Sequence, residues 1–159
     1  MITLDRLKEV LNYNPDTGVF TWKIINSNAV LNKNYAGGVD EKGYIRIKID
    51  NKKYRAHRLA FIYMVGRWPV EIDHINLNKS DNRWCNLREA NRSQNCLNKN
   101  VKSTNILGVK GVSKVGNKYS SEISVNGFRK YLGLFNSLEE AKKAYNDAAM
   151  FYHGDFSRS

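Results

Sequence analysis

Three stretches decide the fold: Glu71-Ile72-Asp73-His74-Ile75, Asn86-Leu87-Arg88 and Ser93-Gln94-Asn95. Residues 70–75 predict a short β-strand, with Val70, Ile72 and Ile75 as its apolar residues. Residues 87–90 predict a second strand, and Asn91 can cap a helix from Arg92 to about Lys99. The intervening residues 76–86 are polar, turn-rich and too long for a tight hairpin. The order is therefore strand, loop, strand, helix. It sets an Asp-His pair on the first strand and Asn95 one turn into the helix. A carboxylate oxygen suits a hard cation, an imidazole suits a proton near neutral pH, and an amide oxygen can be a second ligand. Adjacent strand residues point to opposite faces, so Asp73 and His74 share a site only where the strand twists or ends.

Asp73-His74, Asn86-Leu87-Arg88 and Asn95, at this spacing, resemble the HNH endonucleases, the ββα-metal nucleases common in phages and mobile introns. The resemblance covers residues 55–99. Its three letters fall on His74, Asn86 and Asn95, the last being Asn where other members carry His. What it implies is a homing-type or phage-encoded endonuclease that hydrolyses a DNA phosphodiester. His74 is then the general base, Asn86 holds the loop and orients His74, and Arg88 meets phosphate. Asp73 and Asn95 hold the divalent ion. Oxygen donors favour magnesium (or manganese) over zinc, and two protein ligands leave sites for water and phosphate. One such motif per chain implies one strand cut per chain, compatible with a monomer or a homodimer.

The chain has 159 residues and a formal net charge of +11, which points to a polyanionic partner in preference to a charge kept for solubility alone; the resemblance implies that this partner is double-stranded DNA. Both ends of the chain are positive, so the charge is not confined to one tail. Cys85 and Cys96 form no Cys-x-x-Cys pair, which excludes a zinc ribbon and reads as reduced thiols. No leader or membrane-length apolar run is visible. The expectation is a soluble protein of the host cell's interior that binds no membrane.

Upstream, residues 3–11 predict an amphipathic helix, with Leu4, Leu7, Val10 and Leu11 on one face. Asn14-Pro15-Asp16-Thr17-Gly18 is a turn before a strand at residues 19–23, where Trp22 reads as core in preference to a base-stacking residue. Residues 26–34 are polar and predict a loop. Residues 44–49 alternate, with Ile45, Ile47 and Ile49 on one face and Arg46 and Lys48 on the other, and residues 52–55 return after Asp50-Asn51. Arg46 and Lys48 are candidate phosphate contacts, though a solvated basic face gives the same pattern. Residues 56–65 predict a helix ending at Gly66. It carries Arg58, a further DNA candidate, and His57, which either meets the DNA backbone, supports the site or is a hydrogen-bonded structural histidine. Trp68 and Trp84 read as packing residues.

Residues 100–106 predict a linker. Beyond it, residues 107–115, 118–125 and 128–135 predict three strands, with Asn126-Gly127 a strong type I′ hairpin signal. Ser137 and Glu140 form a capping box for a helix to about His153, its inner face being Ala141, Ala144, Tyr145, Ala148 and Tyr152. This part resembles the DNA-binding domain of plant ethylene-response factors, through Lys110-Gly111-Val112, Glu122-Ile123, Leu132-Gly133, Phe135, Glu140-Ala141, Ala144-Tyr145, Ala148-Ala149 and His153-Gly154. Alternation turns Tyr119, Ser121, Ile123 and Val125 to the helix, with Lys118, Ser120, Glu122 and Ser124 outward beside Arg129 and Tyr131. The resemblance implies that this outer surface enters the major groove, where Arg reads guanine and Glu cytosine. Ser113 and Ser124 stand where the plant domains usually have Arg, and Tyr131 replaces a Trp. The expected DNA contacts here are Lys110, Lys114, Lys118, Glu122, Arg129 and Tyr131.

The expected fold class is α+β. A ββα-metal HNH nuclease module (residues 1–99, core motif 55–99) precedes a linker (100–106). A three-stranded antiparallel sheet packed on one C-terminal helix (107–159) follows. The competing classes are a non-catalytic DNA-binding protein, a structural zinc module and an RNA-binding protein. An intact Asp73, His74 and Asn95 speaks against the first, and the missing Cys/His cluster against the second. The nuclease motif speaks against the third.

Overall fold

The computed structural model describes residues 1–23, 35–98 and 105–156. The predicted loop at 26–34 lies outside these residues, as does most of the predicted linker at 100–106. The chain forms two compact units, Met1–Asn91 and Arg92–Ser159.

The first unit opens with helix α1, Leu4–Val10, whose N-terminus is capped by the Thr3 hydroxyl accepting from the Arg6 N–H. The apolar face predicted as one helix is split. Leu11 is already extended and begins strand β1, Leu11–Asn14, paired antiparallel with β2, Val19–Trp22. The Asn14 side-chain oxygen accepts from the Asp16 and Thr17 N–H groups and closes the turn between them. A second sheet has the order β3-β4-β5, with β3 Gly38–Val39, β4 Ile45–Ile49 and β5 Lys52–Arg55. Asp50 and Asn51, at φ +46° and +61°, make the tight turn that matches strand twist. Helix α2, Ala56–Val65, follows at once and stops at Gly66, which is left-handed at φ +81°.

Leu7, Leu11, Phe20, Ile47, Leu59, Ile62, Ile72 and Leu87 are buried in one core, and Trp22, Trp68 and Trp84 pack against it. Each fully buried leucine or isoleucine contributes about 1.5–3 kcal/mol over its exposed state. Against this core lies the ladder of β6, Glu71–His74, and β7, Leu87–Ala90. β6 is shorter than the sequence predicts. Val70 and Ile75 are exposed, and only Ile72 of the three apolar positions is buried.

The second unit begins with α3, Arg92–Leu97. Its sheet has the order β10-β9-β8, all antiparallel: β8 Val112–Val115, β9 Lys118–Val125 and β10 Phe128–Phe135. β8 starts five residues later than predicted because Gly108 and Gly111 are left-handed, at φ +64° and +65°. Gly111 lies against β9: a Cβ there would stand 2.2 Å from the Glu122 carbonyl oxygen and 2.3 Å from the Tyr145 ring. The Ser137–Glu140 capping box is formed, and α4, Leu138–His153, packs on all three strands. Ser121 and Ile123 are buried under the helix together with Ala141 and Ala149, while Lys118, Glu122 and Ser124 are exposed. The chain is thus α+β, with a sheet-plus-helix C-terminal unit. Among the described residues no helix is long and apolar enough to cross a membrane.

Candidate active site

His74 is the last residue of β6 and Asp73 the one before it, and both are buried. Directly across the ladder from Asp73 stands Arg88, and across from His74 stands Leu87. Arg88 donates from Nε and Nη2 to the same Asp73 oxygen, Oδ2, at 2.9 and 2.7 Å. The sequence assigned Arg88 to phosphate; here its guanidinium is held by Asp73.

The loop between the strands is a folded object in its own right. Leu77, at φ +64°, donates its N–H to the His74 carbonyl at 2.9 Å. Buried Asn86 joins the loop's two ends. Its Oδ1 accepts from the Asn76 N–H at 2.9 Å, and its Nδ2 donates to Asn76 Oδ1 at 3.0 Å and to the Asp81 carbonyl at 2.8 Å. The Ile75 N–H donates to the Asn86 carbonyl at 2.9 Å. Hydrogen bonds from Arg83 chiefly, and from Asn76, hold the Asp81 carboxyl down to about 2.

The imidazole of His74 meets a residue the sequence did not single out. Asn82, 1% exposed, lies with Oδ1 3.2 Å from His74 Nε2. Its own carbonyl accepts from the Tyr13 hydroxyl at 2.7 Å, and the Trp84 N–H donates to the Pro15 carbonyl at 2.8 Å. Gly18 lies tight beneath: a Cβ on it would stand 2.4 Å from the Asn82 carbonyl carbon. The β1–β2 turn therefore buttresses the loop that reaches His74. The one signal in the sequence was the turn Asn14–Gly18, whose partner no local pattern reveals.

Burial is the main influence on His74 and holds it below the ordinary imidazole value, against the opposing pull of the Asn82 hydrogen bond and the Asp73 and Asp81 charges. The ring of His57 stands edge-on to that of His74, with centroids 4.9 Å apart. His57 is buried, its Nδ1 has no hydrogen-bond partner, and burial pushes it down to about 3. It packs against the His74 ring.

Asn95 lies on α3, in the second unit. Among the described residues no group of three His, Cys, Asp or Glu side chains is poised to hold a metal ion. Of the other sequence candidates, Arg46 is paired with Asp40, and Arg58 donates to the Pro69 carbonyl at 2.9 Å with its guanidinium over Trp68. Lys48 is exposed and stands directly opposite Lys53. In the second unit, Lys110, Lys114, Glu122 and Arg129 line one groove of about 870 Å³ with Ser113 and Ser124. Arg129 pairs across the ladder with Ser124, and Tyr131 with Glu122; Tyr131 and Lys118 are exposed.

The sequence pattern of the HNH endonuclease family matches residues 54–97, which span α2, the β6–β7 ladder and α3. An uncharacterised HNH endonuclease of Acanthamoeba polyphaga mimivirus is 30% identical over 143 residues, covering 88% of this chain and 74% of the relative. A solved structure of DNA binding and cleavage by the HNH homing endonuclease I-HmuI is also similar. It has 21% identity and a TM-score of 0.44, over 91% of this chain and 85% of that one. The Asp-His strand end, the Asn86-stapled loop and the kinship over most of both sequences lead to one conclusion: the chain belongs to the HNH endonuclease family and is a nuclease.

Proposed function

We propose that this chain is a divalent-metal-dependent endonuclease of the homing or phage type that hydrolyses phosphodiesters of double-stranded DNA. The observation that carries the reading is the end of β6, where Asp73 and His74 are buried side by side and the loop 75–86 is folded against the ring. Burial keeps the His74 imidazole neutral at neutral pH, so it can take a proton from the attacking water. Asn86 fixes the loop and, through it, the main chain after His74.

The donor set fits a hard divalent ion. Of the two ligands the family resemblance assigns, Asp73 offers a carboxylate that Arg88 holds in one orientation and Asn95 an amide oxygen, and among the described residues no His, Cys, Asp or Glu cluster competes. Asp73 and Asn95 would hold magnesium (or manganese), which when bound supplies charge stabilisation at the scissile phosphate and the leaving oxygen. Arg88 orients Asp73 and balances its charge.

The second unit is proposed as the duplex reader, in the manner of the ethylene-response-factor domain it resembles. Its cations Lys110, Lys114, Lys118 and Arg129, with Glu122 and Tyr131, lie along the outer sheet face and its groove. Lys48 of the first unit adds an exposed cation for phosphate. A monomer and a homodimer are both compatible with one motif per chain.

Relaxation of supercoiled plasmid tests the reading. Nicked or linear product should form with magnesium or manganese and not with EDTA. Equal cleavage with EDTA refutes metal dependence; no cleavage with either ion, by protein that still binds duplex, leaves a DNA-binding protein instead.

A further inference from the structure

We infer that Asn82 is a positioning residue of the reaction: its side-chain oxygen holds the neutral His74 ring as the Nε2–H tautomer, so that Nδ1 is the nitrogen that accepts the proton. The inference rests on the proposed role of His74 and adds which atom acts and what selects it.

An amide presents an acceptor at one end and a donor at the other, and only its second contact shows which end faces the ring. Asn82 Nδ2 donates to the Ser80 carbonyl at 3.3 Å. A carbonyl only accepts, so the nitrogen must face Ser80 and the oxygen must face His74. Oδ1 lies 3.2 Å from Nε2, and an amide oxygen cannot donate. The imidazole nitrogen opposite it therefore carries the hydrogen. A neutral imidazole has one N–H, which puts its lone pair on Nδ1. When Nδ1 takes a proton from water, Nε2–H keeps its partner and the ring has no reason to turn.

Asn82 can do this because it is itself held. The Tyr13 hydroxyl donates to its carbonyl, Gly18 packs against its backbone, and Asp81 on one side is tied to Arg83 on the other. Together these hold the loop residue from three sides.

The tautomer is read directly by long-range proton–nitrogen NMR on protein with nitrogen-15-labelled histidine, at a pH where the rings are neutral. The chain has three histidines, so His57→Gln and His153→Gln assign the signals. His74 should show the Nε2–H pattern; an Nδ1–H pattern overturns the inference. Asn82→Leu then removes the acceptor at similar volume. It should mix the tautomers and slow single-turnover cleavage about ten- to a hundredfold, the usual effect of losing such an outer partner, with duplex affinity within about twofold. Asn82→Asp keeps an acceptor and should retain both the Nε2–H pattern and most of the rate. An unchanged tautomer and rate in Asn82→Leu would make Asn82 a loop-structural residue only. Should that variant fail to fold, the wild-type spectrum still decides. His74→Gln separates the two claims: wild-type cleavage by it ends the proposed role of His74, whatever the tautomer.

Discussion

Arg88 and Asp73 face each other across the β6–β7 ladder, where Nε and Nη2 of the guanidinium donate to one carboxylate oxygen. With side chains 16% and 5% exposed, this is a buried ion pair. Removing one partner of such a pair leaves an uncompensated charge, at a cost of about 3–5 kcal/mol. Arg88→Met should therefore lower stability by that order without metal. Millimolar manganese should restore part of the loss, because a cation again balances Asp73, so the rise in Tm on adding the ion should exceed that of the wild type. Thermal melts with and without metal check this. Equal metal-induced shifts in both proteins would show that Asp73 is no ligand.

His57 sets a pH dependence of stability. Burial, then the positive charges of His74, Arg55 and Arg58, lowers it from the ordinary 6.5 to about 3. Between these values the unfolded chain holds a proton that the folded chain does not. Stability should therefore fall as pH drops from about 6.5 towards 3, by a few kcal/mol, and this group should have no influence above that window. Urea midpoints from pH 4 to 7 should show the slope, and His57→Phe should flatten it. An equal slope in the variant would assign the acid sensitivity elsewhere.

In the second unit, Lys118 and Arg129 should divide two roles. Lys118→Ala should weaken binding about equally on all duplexes and reduce the salt slope by about one unit. Arg129→Ala should cost about 1–3 kcal/mol, mainly on the preferred site. Binding across a salt series, on preferred and scrambled duplexes, measures both. Unchanged slope and selectivity would remove this face from DNA recognition.

Where a local pattern forces a local structure, the sequence was legible. The alternation at Ile45, Ile47 and Ile49, the Asn126-Gly127 turn and the Ser137–Glu140 cap all lie where the pattern sets them. The Asp73-His74 strand forms as well, shorter than the pattern sets it and ending at His74. Long-range partners were not legible. The loop holds Asn76, Asn78, Asn82 and Asn86, and nothing local distinguishes the one that meets the imidazole. That Arg88 also stands opposite Asp73 depends on strand register, which no local pattern shows. Leu11 shares the apolar face of α1, yet backbone pairing with Trp22 takes it into a strand. Leu107 lies outside β8 because the left-handed Gly111 must clear Glu122 and Tyr145.

The central claim, that His74 does chemistry rather than hold the fold or the DNA, is tested by His74→Ala measured twice on one preparation. Single-turnover cleavage of duplex with magnesium should fall by about two to four orders of magnitude, as expected for a positioned general base. Gel-shift affinity for the same duplex should stay within about twofold, because phosphate contacts by Lys and Arg supply most of it. Cleavage at the wild-type rate, or loss of binding together with cleavage, would contradict the claim.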